Sequence, residues 1–143
     1  MPSFRIPATA AAFGAALLLA AATPAMAASP LAKAVTHGEY LFAHATFGGN
    51  GRTCDTCHVG GGKMPGKVGG HTIPSLINAA AIFPRYNMRA HKVVTLEDQI
   101  VHCIQGGLKG KPPAYGSADL TDLTAYLGHI AHGQPMDIGG KPK

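Results

Sequence analysis

Cys54-Asp55-Thr56-Cys57-His58 constrains this chain more than any other stretch. Two thiols three positions apart, followed directly by an imidazole, form the Cys-x-x-Cys-His pattern through which haem c is attached covalently to a polypeptide. The spacing follows from the chemistry: the thiols reach the two vinyl groups on one side of the porphyrin, and the adjoining imidazole is then placed under the iron. A thioredoxin-like redox pair would want a surrounding βαβ pattern, and half of a zinc site would want a second ligand pair. The sequence has neither. Cys54 and Cys57 are therefore assigned to covalent haem attachment and His58 to proximal ligation of the iron, with one haem c because the motif occurs once.

The N-terminal stretch reads as a leader rather than as part of the fold. Arg5 precedes an apolar run from about Ala8 to Ala22, and Ala25-Met26-Ala27 offers an A-x-A cleavage site. The run is too short to span a bilayer comfortably, so residues 1–27 are expected to be a cleaved secretory signal, with the mature chain starting near Ala28 and no permanent membrane span. Covalent haem attachment in bacteria takes place outside the cytoplasmic membrane, so leader and motif point to one compartment, the periplasm.

What remains, residues 28–143, is enough for one domain with a modest core, and the chain has no Trp. A buried haem supplies much of the missing apolar volume. The 19 Gly and 11 Pro suit a small helical protein that wraps a cofactor in loops. Lys and Arg number 12 against seven Asp and Glu, and nothing arranges these charges into a nucleic-acid motif. The basic balance is either an ordinary solvated surface or a rim that docks an acidic redox partner or attracts an anionic substrate. Three cysteines make an odd count in an oxidising compartment. With two bound to haem, Cys103 is left as a buried inert thiol, an intermolecular link or an iron ligand.

The pattern predicts three main helices. The first runs from Leu31 to about Thr46 and ends at Gly48-Gly49. Residues 60–74 are a Gly-, Lys- and Pro-rich loop, and Leu76 to Phe83 allows one or two helical turns before Pro84. Thr95 caps the second main helix, with Glu97 and Asp98 in its first turn, and Gly106-Gly107 stops it. Leu96, Ile100 and Cys103 share one face, which turns Cys103 inward and His102 outward. The last helix, about Ala118 to His132, is opened by Ser117 or Asp119 and carries Leu120, Leu123, Leu127 and Ile130 on its buried stripe. The tail from about residue 133 reads as a flexible surface arm. His129 and His132, three apart, and His37, His44 and His71 read as surface histidines.

Nearly all of the mature length resembles a class I cytochrome c. Gly38 and Phe42 on the first helix, and Leu123 and Tyr126 on the last, resemble the two halves of the family's helix crossing. The resemblance implies an all-α, cytochrome c-like fold with three main helices and long Gly/Pro-rich loops wrapped around one covalent haem. It also implies that the Pro74 carbonyl accepts the Nδ1–H of His58, orienting the ring. The family's usual distal Met is missing, because Pro112 stands in its place within Lys109–Tyr115.

A narrower resemblance covers Asn50 to Gly61, Phe83-Pro84-Arg85-Tyr86, and Val94-Thr95-Leu96-Glu97-Asp98-Gln99-Ile100 with Cys103. These stretches are similar to thiosulfate dehydrogenases and to the Sox sulfur-oxidising cytochromes, in which a Cys at the position of Cys103 binds the iron. That resemblance implies Cys103 as distal ligand; the remaining Met64, Met88, Met136, His91 and His102 of the sequence are individually weaker candidates. The chain departs from the thiosulfate dehydrogenases at Gly106-Gly107-Leu108-Lys109-Gly110, where those enzymes carry an Arg-Ser-Met-Asn-Gly-type run. It also lacks their second haem motif. Lys109 or Arg89 is left to hold an anion, though Lys offers a point charge where Arg offers a planar fork. The expected function is a periplasmic one-electron carrier, working with another cytochrome or a sulfur-oxidising subunit. The alternatives are a thiosulfate dehydrogenase-like enzyme or a haem subunit of a larger complex.

Overall fold

The computed structural model describes residues 28–143, together with Ser3. The expected leader, residues 1–27, otherwise lies outside the described residues. Helix α1 spans Pro30–His44; Ser29 caps it by accepting the Ala32 N–H, and Pro30 occupies the first turn, where its missing N–H costs nothing. The single-turn helix α2 is Cys54–Cys57. Two short antiparallel hairpins follow, β1 (Gly66–Val68) with β2 (His71–Ile73), and β3 (Arg85–Asn87) with β4 (Lys92–Val94), separated by the single-turn α3 (Ala79–Ile82). Helix α4 (Leu96–Cys103) runs directly into a π-helical turn, Ile104–Leu108, and α5 spans Ala118–Ile130. Among the described residues no helix is long and apolar enough to cross a membrane.

An all-α chain with three main helices is thus an incomplete description. The segment expected to be loop contains β1 and β2, joined by Gly69-Gly70 with both residues at positive φ. A two-residue Gly-Gly turn is a hairpin signal that outweighs the lack of apolar alternation around it. The Gly106-Gly107 pair does not stop α4 but sits inside the π turn, and the chain leaves helical geometry at Lys109, at φ 56°. Burial explains the difference. Ile104 and Leu108 are almost completely buried, and continuing the turn carries both into the core, which outweighs the helix cost of two glycines.

The caps follow the sequence closely. Thr95 and Asp98 form a reciprocal capping box, with Asp98 N–H donating to Thr95 Oγ1 at 3.2 Å and Thr95 N–H donating to Asp98 Oδ2 at 3.0 Å. Ser117, rather than Asp119, caps α5 by accepting from Leu120 N–H. Leu120, Leu123, Tyr126 and Leu127 are buried on α5, while Ile130 packs against them half-buried.

The core is organised where α1 crosses α5. A Cβ at Gly38 would overlap the Asp122 carbonyl and press on Tyr126 Cβ, so only glycine allows this approach. Phe42 and Tyr126 meet there with ring centroids 5.4 Å apart at a tilted angle, an arrangement that aromatic quadrupoles favour. His37 Nδ1 and Asp122 Oδ2 lie 2.8 Å apart beside the same crossing.

The segment after Gly133 is not a free arm. Asp137 N–H donates to Ala81 O and Gly139 N–H to Ile82 O, at 2.9 and 3.0 Å. Pro and Gly content suggests mobility, but buried polar groups on the segment beneath need partners, and the tail supplies them.

Gly38→Ala is expected to destabilise the protein by about 1–3 kcal/mol through overpacking at the crossing, measured as a lowered denaturant midpoint at unchanged slope.

Candidate haem site

Helix α2 places the motif at the wall of a cavity of about 810 Å³, within the 300–1,000 Å³ typical of cofactor pockets. Cys54, Cys57 and His58 line one side of it. Leu96, Gln99, Ile100 and Cys103 of α4 line another, with Phe42, Leu123 and Leu127 behind them. The pairing of walls has a local cause. Asn50 N–H donates to Leu108 O at 2.8 Å and Asn50 Nδ2 to Gly107 O at 3.2 Å, tying the approach to α2 onto the π turn that follows Cys103.

Several contacts fix the motif itself. Thr53 N–H donates to Thr56 Oγ1, Gly61 N–H donates to Asp55 Oδ1 at 2.6 Å, and Tyr126 OH donates to Gly61 O at 2.8 Å. The last bond links the motif loop to the helix crossing. On the other flank, a Cβ at Gly66 would overlap the Cys57 carbonyl, so β1 packs directly on α2.

His58 Nδ1 lies 3.0 Å from Pro74 O. A carbonyl only accepts, so this contact puts the ring proton on Nδ1 and leaves Nε2 with its lone pair. Burial lowers the His58 pKa, partly opposed by the Pro74 bond, which favours the neutral ligating form. Burial, reinforced by the nearby Cys103, pushes the Cys54 thiol up to about 12.

Cys103 lines the cavity but is exposed there, and is not packed inward among the core side chains as its helix position predicts. The surrounding protein is still dense enough to push its pKa up by desolvation. Gln99 Nε2, 3.3 Å from Cys103 Sγ, pulls it back, and Cys57 raises it further. Gln99 is itself approached by Asn87 Nδ2 at 3.5 Å. Its place three and four residues from Leu96 and Cys103 made it legible as a neighbour of Cys103, yet an amide carries no motif.

The weaker ligand candidates separate clearly. His102 borders the cavity instead of pointing away from it, because residues 99, 102 and 106 form the edge of the same helical face. Met64, Met88, Met136 and His91 are absent from the lining, and Met64 lies against Gly60 on the motif loop. Of the two cations considered for an anion, Arg89 borders the cavity and Lys109 does not; Arg52 joins Arg89 there. Among the described residues no group of three or more His, Cys, Asp or Glu is placed to hold a metal ion without a cofactor.

Two crossed helices, a single-turn Cys-x-x-Cys-His helix and a Pro carbonyl beneath the imidazole define a cytochrome c-like domain. Residues 37–136 match the SoxA/TsdA cytochrome c domain family, and the chain belongs to it. Thiosulfate dehydrogenases from Allochromatium vinosum and Stutzerimonas stutzeri are 32% and 30% identical over 91 residues each, which is 63% and 64% of this chain but 33% and 28% of theirs. The thiosulfate dehydrogenase TsdBA from Marichromatium purpuratum superposes with a TM-score of 0.64 at 26% identity, over 83% of this chain and 28% of that one. SoxXA from P. pantotrophus shares the fold, with a TM-score of 0.58 at 20% identity, over 74% of this chain and 35% of that one. The chain therefore spans about a third of the length of these relatives. A cytochrome c domain implies covalently bound haem c, and the donor set here fits it: two thiols and a neutral imidazole on the wall of one largely apolar cavity.

Proposed function

We propose that this chain is an exported, periplasmic carrier of single electrons in sulfur-compound oxidation, holding one haem c. The observation that carries the reading is the shared cavity, lined by Cys54, Cys57 and His58 of the motif and by Cys103 of α4. When bound, the haem supplies reversible one-electron chemistry at its iron. Cys54 and Cys57 hold it through thioethers and fix its orientation. His58 would offer Nε2 to the iron while Pro74 O holds Nδ1–H, and the Cys103 sulfur would be the second protein donor available from the cavity lining. Gln99 donates to that sulfur and so withdraws part of its charge. The apolar lining from Ile73, Leu76, Phe83 and Leu127 would pack against the bound macrocycle, and His58 and Cys103 would tune its potential.

Family membership supports the haem and the link to sulfur oxidation; the likeness to thiosulfate dehydrogenases narrows the setting. Electrons entering or leaving this domain then pass to another redox protein, a second cytochrome or a sulfur-oxidising subunit. The domain organisation consistent with this is a cleaved leader over residues 1–27 and one cytochrome domain over 28–143.

A second reading, an enzyme acting on thiosulfate or a related sulfur anion, draws on Arg52 and Arg89 at the cavity that Cys103 faces. The two differ in turnover. Purified chain with an artificial electron acceptor is expected to show no steady oxidation of thiosulfate, and sustained catalytic oxidation would replace the carrier with the enzyme.

Two substitutions test the ligand set. Cys103→Met exchanges a thiolate for a thioether and is expected to raise the reduction potential by on the order of 100 mV, within the range of about 0.8 V over which axial ligands act. The visible spectrum should change with it, and an unchanged spectrum removes Cys103 from the iron. Gln99→Leu deletes the donor to sulfur and is expected to lower the potential by on the order of 50 mV, equivalent to about 1 kcal/mol for one electron.

A further inference from the structure

Ser75 and Asn78 are the two buried polar or charged residues among the described residues, at 4% and 5% exposure, and neither lines the cavity. Buried polar groups persist where they are hydrogen-bonded, so their partners indicate what they are for. Both bond to the C-terminal segment. Ser75 N–H and Ser75 Oγ donate to Lys143 O at 2.8 and 3.0 Å. The Asn78 amide brackets the same segment, donating to Lys141 O at 2.9 Å and accepting from Lys143 N–H at 3.3 Å. Asp137 and Gly139 fasten the segment further along, to Ala81 O and Ile82 O. Lys143 Nζ donates to Gln134 Oε1 at 2.6 Å and closes the segment on itself.

The residues beneath this segment carry the proximal wall. Ile73, Leu76 and Ala79 face the cavity, while the alternate residues Ser75 and Asn78 face the tail. Pro74, between Ile73 and Ser75, presents its carbonyl to His58 Nδ1. On its N-terminal side Pro74 is held by the β1–β2 ladder, in which Gly66 pairs with Ile73. On its C-terminal side the next residue is anchored twice to Lys143, and Leu76 N–H donates to Gly62 O. Without the tail the Pro74 carbonyl would be restrained mainly from one side and through Leu76.

We infer that residues 134–143 form a strap that positions the Pro74 carbonyl against His58, with Ser75 and Asn78 as the positioning residues through which it acts. The inference rests on the proposed ligation of iron by His58. A well-placed acceptor at Nδ1–H raises the basicity of the ligating nitrogen and favours ferric iron, and a loosened one does the reverse. The strap therefore holds the potential down without touching the ligand.

The test uses the haem-loaded full chain and three variants: Ser75→Ala, Asn78→Ala and deletion of residues 135–143. The readouts are the reduction potential, the paramagnetically shifted resonances of the His58 ring, and exchange of its Nδ1–H with solvent. Each variant is expected to shift the potential upward, move the His58 resonances and speed Nδ1–H exchange several-fold, and Ser75→Thr, which keeps the hydroxyl, should restore all three. Ser75→Ala leaves the backbone bond to Lys143 in place, so it reports even if the larger changes prevent folding. A lowered thermal midpoint with potential, resonances and exchange unchanged would overturn the strap and leave it a structural brace. Wild-type protein whose spectrum lacks a coordinated imidazole would instead fail the proposed function itself, a separate outcome visible before any variant is made.

Discussion

The close approach of α1 and α5 at Gly38 is the constraint on which the rest of this domain depends. Because no Cβ separates the helices there, Tyr126 sits close enough to stack on Phe42 and still reach Gly61 O with its hydroxyl. Gly61 N–H in turn is held by Asp55, inside the Cys-x-x-Cys turn. The position of the two attachment thiols is thereby fixed by a steric fact some twenty residues upstream. A buried phenol must find a partner for its hydroxyl, and this one satisfies that requirement by holding the motif loop in place.

The cavity walls are coupled in a comparable way. Asn50 binds the π turn after Cys103 with both its backbone and its side chain, which ties the segment leading into α2 to the segment leading out of α4. Gly49 packs against the same Leu108 carbonyl, where a Cβ would overlap it. The segments carrying His58 and Cys103 are therefore joined by close backbone contacts, which pre-organise the cavity they line.

Legibility in the sequence followed the range of the interactions. The motif, the cap at Thr95, the burial of Leu120, Leu123 and Leu127 on α5 and the position of Cys103 on the cavity lining are local, governed by spacing along a few residues, and each could be read directly. His102 reaches the cavity against its spacing because a helix face has edges as well as a front and a back. The π turn at Ile104–Leu108 could not be read, since two glycines signal termination locally and only the burial of Leu108 against the rest of the fold reverses that signal. The tail was hidden for the same reason: nothing in its own Pro- and Gly-rich composition announces that Ser75 and Asn78, some sixty residues earlier, would be buried and need its backbone.

The departure from the Arg-Ser-Met-Asn-Gly-type run gains meaning from the π turn. Gly106 and Gly107 border the cavity, neither has positive φ, and a Cβ added at either would meet nothing within 4 Å. Contact with neighbours does not require glycine at either position, because a Cβ would meet open space. The absence of a side chain there is therefore a chemical difference, with no close contact that imposes it. It removes from the cavity edge the planar fork best suited to gripping an oxyanion and leaves Arg52 and Arg89 on other segments. A carrier loses nothing by that change, because electron transfer needs access to the macrocycle but no grip on a substrate. An enzyme would have to rebuild its anion site from the β3–β4 turn and the approach to α2, and this asymmetry is the physical reason the carrier reading stands first.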